Sequence, residues 1–164
     1  MYSQAKQDQF VLDKIGKNGR YLEIGSAYPI TFNNTYLLEL NGWTGLSIDF
    51  EPSYQEDWLK TRKNPLVIAD ALTYQYPNVE RYDYLQLDID PTEKTFALLQ
   101  RLLKEYKTRY SVITFETDAY LNDQYVQPSR QLLQSHGYEL AVADVVVEGH
   151  GAFEDWYIDK SIKW

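Results

Sequence analysis

Eight carboxylates stand where apolar runs of this chain stop. Glu23 lies within Tyr21-Leu-Glu-Ile24, just before Gly25. Asp49 and Glu51 follow Gly45-Leu-Ser-Ile48, and Asp70 follows Pro65-Leu-Val-Ile-Ala69. Asp88 and Asp90 follow Tyr82-Asp-Tyr-Leu-Gln-Leu87, and Glu116 and Asp118 follow Tyr110-Ser-Val-Ile-Thr-Phe115. Acids gathered on one rim repel one another unless a hydroxyl-rich or cationic ligand, or a metal ion, occupies it. Carboxylates so placed can accept from hydroxyls, hold an oxygen-preferring cation, or take a proton.

A regular scaffold must carry such a rim, and the hydrophobic pattern supplies one. A helix is predicted from Ser3, as N-cap, through Phe10, Val11 and Ile15 to Gly16. Strands follow at 20–25, 45–50 and 65–69. Between them come a helix that Asn34-Thr35 caps and Gly42 closes, and one reaching about Arg62 that opens on the capping-box spacing of Ser53 and Glu56. The second half repeats the rhythm with strands at 82–87 and 110–115. Asp90, as N-cap before Pro91, starts a helix with Phe96, Leu99, Leu103 and Tyr106 on one face; another helix covers 128–136 and stops at Gly137. The last strands, 138–147 and 153–158, are separated only by the turn 148–152 and so pair antiparallel. The predicted class is α/β: a mostly parallel seven-stranded sheet with a C-terminal hairpin and helices on both faces. Ligands of such sheets bind outside the carboxyl ends of the strands.

The chain has 164 residues, which fits one domain over 1–164, and 16 Lys+Arg against 24 Asp+Glu give a net charge of −8. A pI near 4.7 with no Lys/Arg cluster speaks against nucleic acid and anionic membrane surfaces as partners. No apolar run approaches the roughly 18 residues of a membrane span. The polar opening lacks the apolar stretch of a signal peptide, so a cytoplasmic location is expected. Cys is absent, which removes disulfides, thiolate nucleophiles and cysteine-ligated zinc. The 15 Tyr predict half-buried rings that must find partners for their hydroxyls.

Several short motifs fall in a telling order: Gln7-Asp8-Gln9-Phe10-Val11, Tyr21-Leu-Glu-Ile-Gly-Ser-Ala-Tyr-Pro29, Asn33-Asn-Thr-Tyr-Leu-Leu-Glu39, and Gly42-Trp-Thr-Gly45 with Ile48-Asp49. Ala69-Asp-Ala-Leu72, Asp83-Tyr-Leu-Gln-Leu-Asp-Ile-Asp90, Ile113-Thr-Phe-Glu-Thr-Asp118 and Phe153-Glu-Asp-Trp156 continue it. Over nearly the whole chain this order resembles the FkbM-type group of the Rossmann-like class I S-adenosylmethionine-dependent methyltransferases. The resemblance implies that the turn of Glu23, Gly25 and Ser26 approaches the methionine part of the cofactor. It gives the ribose hydroxyls to Asp49, with Glu51 second, and the adenine amino group to Asp70, with Ala71 and Leu72 alongside. The chain departs from the glycine-rich turn at Ala27 and Pro29. The absence of Gly-x-Gly-x-x-Gly sets aside a dinucleotide oxidoreductase.

The activity the resemblance implies is O-methylation of a sugar or other small polar acceptor. Asp88 and the turn residue His150 are the catalytic candidates. Asp88, Glu116 and Asp118 are similar in placement to the metal-binding acids of catechol-type and macrolide-sugar O-methyltransferases, a set that suits Mg2+. Local roles compete for some of these residues: a helix cap for Asp90 and Asp118, and an exposed turn for His150. His136 is explained by a helix C-terminus, and Trp156 by the core. With little sequence left for lid helices, the site is open or completed by a second copy of the chain. The alternative is a non-catalytic domain of the same fold acting as a binding or interaction module.

Overall fold

The computed structural model describes residues 2–147 and 149–164; Met1 and Glu148, the first residue of the expected turn, lie outside them. Strands β1 (Arg20–Ile24), β2 (Thr44–Asp49), β3 (Leu66–Ile68), β4 (Arg81–Leu87), β5 (Arg109–Glu116), β6 (Tyr138–Val145) and β7 (Glu154–Asp159) form one sheet. Its order is β3-β2-β1-β4-β5-β7-β6. The first five strands are parallel, and β7 runs antiparallel to both β5 and β6. The chain order reverses between β1 and β4, so the switch point falls where Gly25 and Asp88 end neighbouring strands.

The strands bury both faces, as a parallel sheet must. On one face Leu22, Ile24, Leu85, Ile113 and Phe115 pack under helix α4 (Thr92–Glu105) and helix α5 (Val126–Ser135). Leu98, Leu99 and Leu102 of α4 are almost wholly excluded from solvent, each stabilising by roughly 1.5–3 kcal/mol. On the other face Tyr21, Tyr84 and Val112 meet Val11 of helix α1 (Gln7–Ile15) and Leu38 of helix α2 (Tyr36–Leu40). Helix α3 (Gln55–Thr61) buries Trp58, whose indole N–H donates to the Asn64 carbonyl. Because side chains alternate along a strand, Glu23, Gln86, Asp88 and Glu116 all fall on the α1/α2 side.

Several expected caps are replaced by others. Ser3 does not cap α1, which starts four residues later at Gln7; its hydroxyl instead donates to Asp8 Oδ1 at 2.5 Å. Thr35 holds the N-cap position of α2 as expected, but its side chain makes no capping bond; Asn33 Oδ1 instead accepts from the Thr35 and Tyr36 amides. Ser53 and Glu56 form no capping box, since a 3-10 turn over Pro52–Tyr54 comes first and Glu51 accepts from the Ser53 amide. Asp90 does not cap α4 either: Pro91 takes the cap position, which leaves Asp90 exposed at the rim. The tyrosines go deeper than expected. Tyr21, Tyr84, Tyr138 and Tyr157 are fully buried, with hydroxyls paired to Arg62, Thr114, the Tyr110 amide and Asp155. Trp156 packs on Phe10 at 4.8 Å between ring centroids, the core role expected of it.

Candidate active site

The carboxyl ends of the parallel strands open into a cleft of about 700 Å³ whose lining includes Gly25, Asp49, Glu51, Asp70, Ala71, Asp88 and Glu116. A smaller hollow of about 210 Å³ shares Gly25, Ala27 and Asp88 with it and is closed by Glu23, Ser26, Asn34 and Gln86. All the residues assigned to the cofactor from the sequence thus line two joined hollows. The turn after β1 makes the junction. Gly25 has φ +82°, and its amide donates to the Ile48 carbonyl of β2. A Cβ on Gly25 would lie 1.5 Å from the Asp88 carbonyl oxygen, so only glycine lets the ends of β1 and β4 close together. Ala27, one of the two departures from a glycine-rich turn, still adopts the left-handed region at φ +48°. The substitution therefore leaves the turn its glycine-like course.

Glu23 sits beneath this turn, 1% exposed, and accepts from Thr35 Oγ1 at 2.9 Å and Ser47 Oγ at 2.6 Å. Burial pushes its carboxyl above the ordinary range, with the Arg62 guanidinium pulling the other way. Ser26 Oγ and Asn34 Oδ1 are buried and have no partner among the described residues, so the smaller hollow offers polar capacity to a ligand. The two acids at the end of β2 divide their work. Asp49 accepts from the Ala27 amide through Oδ2 and the Glu51 amide through Oδ1, both at 2.8 Å. Glu51 uses Oε1 on the Ser53 amide, and that bond lowers its pKa. Glu51 is the more exposed of the two and keeps Oε2 available to a ligand, whereas Asp49 is occupied in shaping the turn. Asp70 accepts from the Leu72 amide at 2.9 Å at the opposite wall.

A second group of acids floors the other end of the cleft. Asp88 and Glu116 end adjacent strands and share a hydrogen bond, and burial pushes both carboxyls above the ordinary range. The other Glu116 oxygen is buried without a partner among the described residues. Oxygens of Glu116, Asp118 and Asp90 lie within 4.8 Å of one another. This is the three-carboxylate group found among the described residues. Asp90 takes the place expected for Asp88, because it is released from capping α4. Asp118 accepts from Thr92 Oγ1 at 3.3 Å and has φ +43°. His150 is not brought into the main cleft: its ring lies edge-on to Tyr120 at 6.2 Å and lines a third hollow, which shares Gln4 and Phe32 with the smaller one.

Behind the acids, Glu154 of β7 is buried and accepts from Gln7 Nε2 at 3.0 Å and Trp156 Nε1 at 2.5 Å. Burial pushes its pKa from 4.5 up to about 8; the Trp156 N–H works against this and the Asp88 charge adds to it. The native state therefore binds a proton here that the unfolded chain has released, and the stability due to it is lost as pH rises from 4.5 through 8. Glu154→Gln is expected to unfold near the wild-type temperature at pH 5 and several degrees higher at pH 8. An equal shift at both pH values in thermal denaturation would contradict the assignment.

Sequence reasoning missed Lys94, Tyr54 and Phe50 in the wall of the main cleft, and Asn34 and Gln86 in the smaller hollow. It also missed Arg62, which reaches the back of the site from beyond α3. Gln86 had a signal, since it lies two residues before Asp88 on the same face of β4. Arg62 had none, because its partners are 23 to 41 residues away.

No protein-family model matches the chain, and no curated protein does. Solved structures do resemble it. A TehB-like S-adenosylmethionine-dependent methyltransferase from Corynebacterium glutamicum shares 18% identity and a TM-score of 0.58, over 94% of this chain and 88% of that one. Cofactor-bound Rv0187 from MTB shares 16% identity and a TM-score of 0.70, over 98% and 82%. The Burkholderia thailandensis 1,6-didemethyltoxoflavin-N1-methyltransferase, solved with its substrate and S-adenosylhomocysteine, shares 12% identity and a TM-score of 0.62, over 95% and 77%. The fold is the Rossmann-like class I methyltransferase fold.

Proposed function

We propose that this chain, built on the class I methyltransferase fold, is an S-adenosylmethionine-dependent methyltransferase. The observation that carries the reading is the pair of joined hollows at the switch point, whose orphaned polar atoms and free Glu51 oxygen fit a ligand with a polar end and a diol. The cofactor supplies an electrophilic methyl group. The chain's own residues bind, orient and handle the proton. Ser26 and Asn34 offer hydrogen bonds to the amino-acid end, Glu51 Oε2 accepts from the ribose hydroxyls, and Asp70 faces the adenine with Ala71 and Leu72. Asp88, at the end of β4 and in the lining of both hollows, is the group placed to take a proton from an acceptor at the floor of the cleft.

The acceptor is proposed to be a hydroxyl of a sugar or other small polar molecule. The acidic cleft and the net charge of −8 support this over a phosphate-rich polymer. The FkbM-type assignment rests on the ordered motifs of the sequence. Asp90, Glu116 and Asp118 fit a hard divalent cation such as Mg2+, being oxygen donors with one buried unpartnered atom; such an ion lowers the pKa of a hydroxyl bound to it. His150 lies outside the cleft and is given neither the role of base nor a contact in this reading.

The test is calorimetric titration with S-adenosylmethionine and S-adenosylhomocysteine, with and without Mg2+, on wild type, Glu51→Ala and Asp49→Ala. Wild type is expected to bind at micromolar Kd. Glu51→Ala should lose about 10-fold or more through the missing diol contact. Asp49→Ala should lose affinity together with thermal stability, because the Ala27 and Glu51 amides lose their acceptor. Heat from neither ligand would instead favour a non-catalytic binding module. With binding in hand, a screen of glycosides, phenols and RNA reads the acceptor.

A further inference from the structure

We propose that Arg62 and Asn33 are positioning residues for the cofactor turn, acting on the ligand through Ser26. The proposal rests on the cleft being the S-adenosylmethionine site. The Arg62 side chain is fully buried and every N–H direction of its guanidinium is used. Nε donates to Glu39 Oε2, Nη1 to the Pro29 carbonyl and Asn33 Oδ1, and Nη2 to the Tyr21 hydroxyl and Thr35 Oγ1, all between 2.9 and 3.1 Å. Its plane lies over the Trp58 ring at 4.3 Å. Four of those acceptors belong to β1, to α2's cap residue Thr35, or to the segment between them, so Arg62 fixes the loop that runs from the cofactor turn to α2.

Asn33 passes that fixation to the turn. Its Oδ1 receives the Thr35 and Tyr36 amides as well as Arg62, which makes that atom the oxygen and the other the amide nitrogen. The nitrogen donates to the Ser26 carbonyl at 3.2 Å. With its carbonyl held from behind, Ser26 lines the smaller hollow, and its Oγ is buried without a partner among the described residues. A core arginine with saturated donors needs no ligand to explain it. What points to positioning is that the chain of bonds ends on the carbonyl of a residue that lines a hollow and carries a buried, unpartnered hydroxyl.

Asn33→Asp separates the two roles. Aspartate keeps an acceptor for Arg62, Thr35 and Tyr36 but cannot donate to Ser26, and it sets a second oxygen against the Ser26 carbonyl. The full chain is titrated with S-adenosylhomocysteine as wild type, Asn33→Asp and Ser26→Ala, with thermal unfolding of each. The expected result is wild-type unfolding temperature in both variants, within a few degrees, with affinity weakened about 10-fold in each. Wild-type affinity in Asn33→Asp overturns the proposal. So does a loss of affinity that only parallels a fall in unfolding temperature, and so does wild-type affinity in Ser26→Ala. Flat titrations for all three proteins, wild type included, would instead defeat the cofactor reading itself and the proposal with it.

Discussion

Gly25→Ala is expected to abolish binding of S-adenosylhomocysteine and to lower the unfolding temperature by about 10 °C or more, if the protein accumulates at all. The methyl group would occupy the position of the Asp88 carbonyl oxygen, 1.5 Å from it, on a residue held at φ +82°. Backbone is the obstacle, so no side chain can move aside. To relieve the clash, β1 and β4 must part at the Asp88 amide to Ile24 carbonyl bond, now 3.0 Å, at the centre of the sheet. That movement also separates the two walls on which Ser26 and Asp88 stand. Gly16→Ala is the control: it has a similar φ of +87°, yet its Cβ meets nothing within 4 Å. With ψ −142° its backbone favours glycine, so the change should cost about 1–3 kcal/mol and leave binding unchanged. Calorimetry and thermal denaturation on both variants read the difference, and comparable effects from both would show that strain, not contact with β4, controls the turn.

Arg62→Met should destabilise the protein by about 3–5 kcal/mol, the range for removing one partner from a buried charged network. For a chain of this size that is a fall of roughly 10 °C in Tm. Methionine fills much of the volume over Trp58, so the loss reports on polar partners more than on a cavity. Glu39 Oε2, the Tyr21 hydroxyl, Asn33 Oδ1 and Thr35 Oγ1 each lose a donor, and Glu23, fully buried two residues from Tyr21, loses the positive charge that opposes its protonation. The loss should therefore be larger at pH 8 than at pH 5, where a protonated Glu23 no longer needs the guanidinium. A variant within 1 kcal/mol of wild type at pH 8, about the worth of a surface ion pair, would mean that the network is far weaker than its geometry implies.

How much of the site could be read from the sequence depended on the range of the interaction that makes each part. Strand ends are local events, and an acid closing an apolar run announces itself; hence Glu23, Asp49, Glu51, Asp70, Asp88 and Glu116 all line the cleft or the hollow beside it. Helix caps failed for the same locality. At Ser3, Ser53 and Asp90 a plausible local acceptor was present, but a competing neighbour, Asp8, Glu51 or Pro91, took the partner or the position. The carboxylate group shows the consequence: with Pro91 in the cap position, Asp90 stands at the rim with Glu116 and Asp118, and Asp88 pairs with Glu116 behind them.

The sequence by itself determined the α/β class, the order of helices and strands, the closing hairpin and the set of acids at the strand ends. These depend on periodicity, chain direction and the short reach of a turn, which are properties of neighbouring residues. Tertiary structure alone decided the order of strands across the sheet and the necessity of glycine at Gly25. It also decided which of Asp49 and Glu51 keeps an oxygen for a ligand, and that Arg62 secures the loop behind the site. Each of these is set by contact between segments 20 or more residues apart, where the partner's distance and direction, not its identity in the sequence, fix the hydrogen bond or the clash.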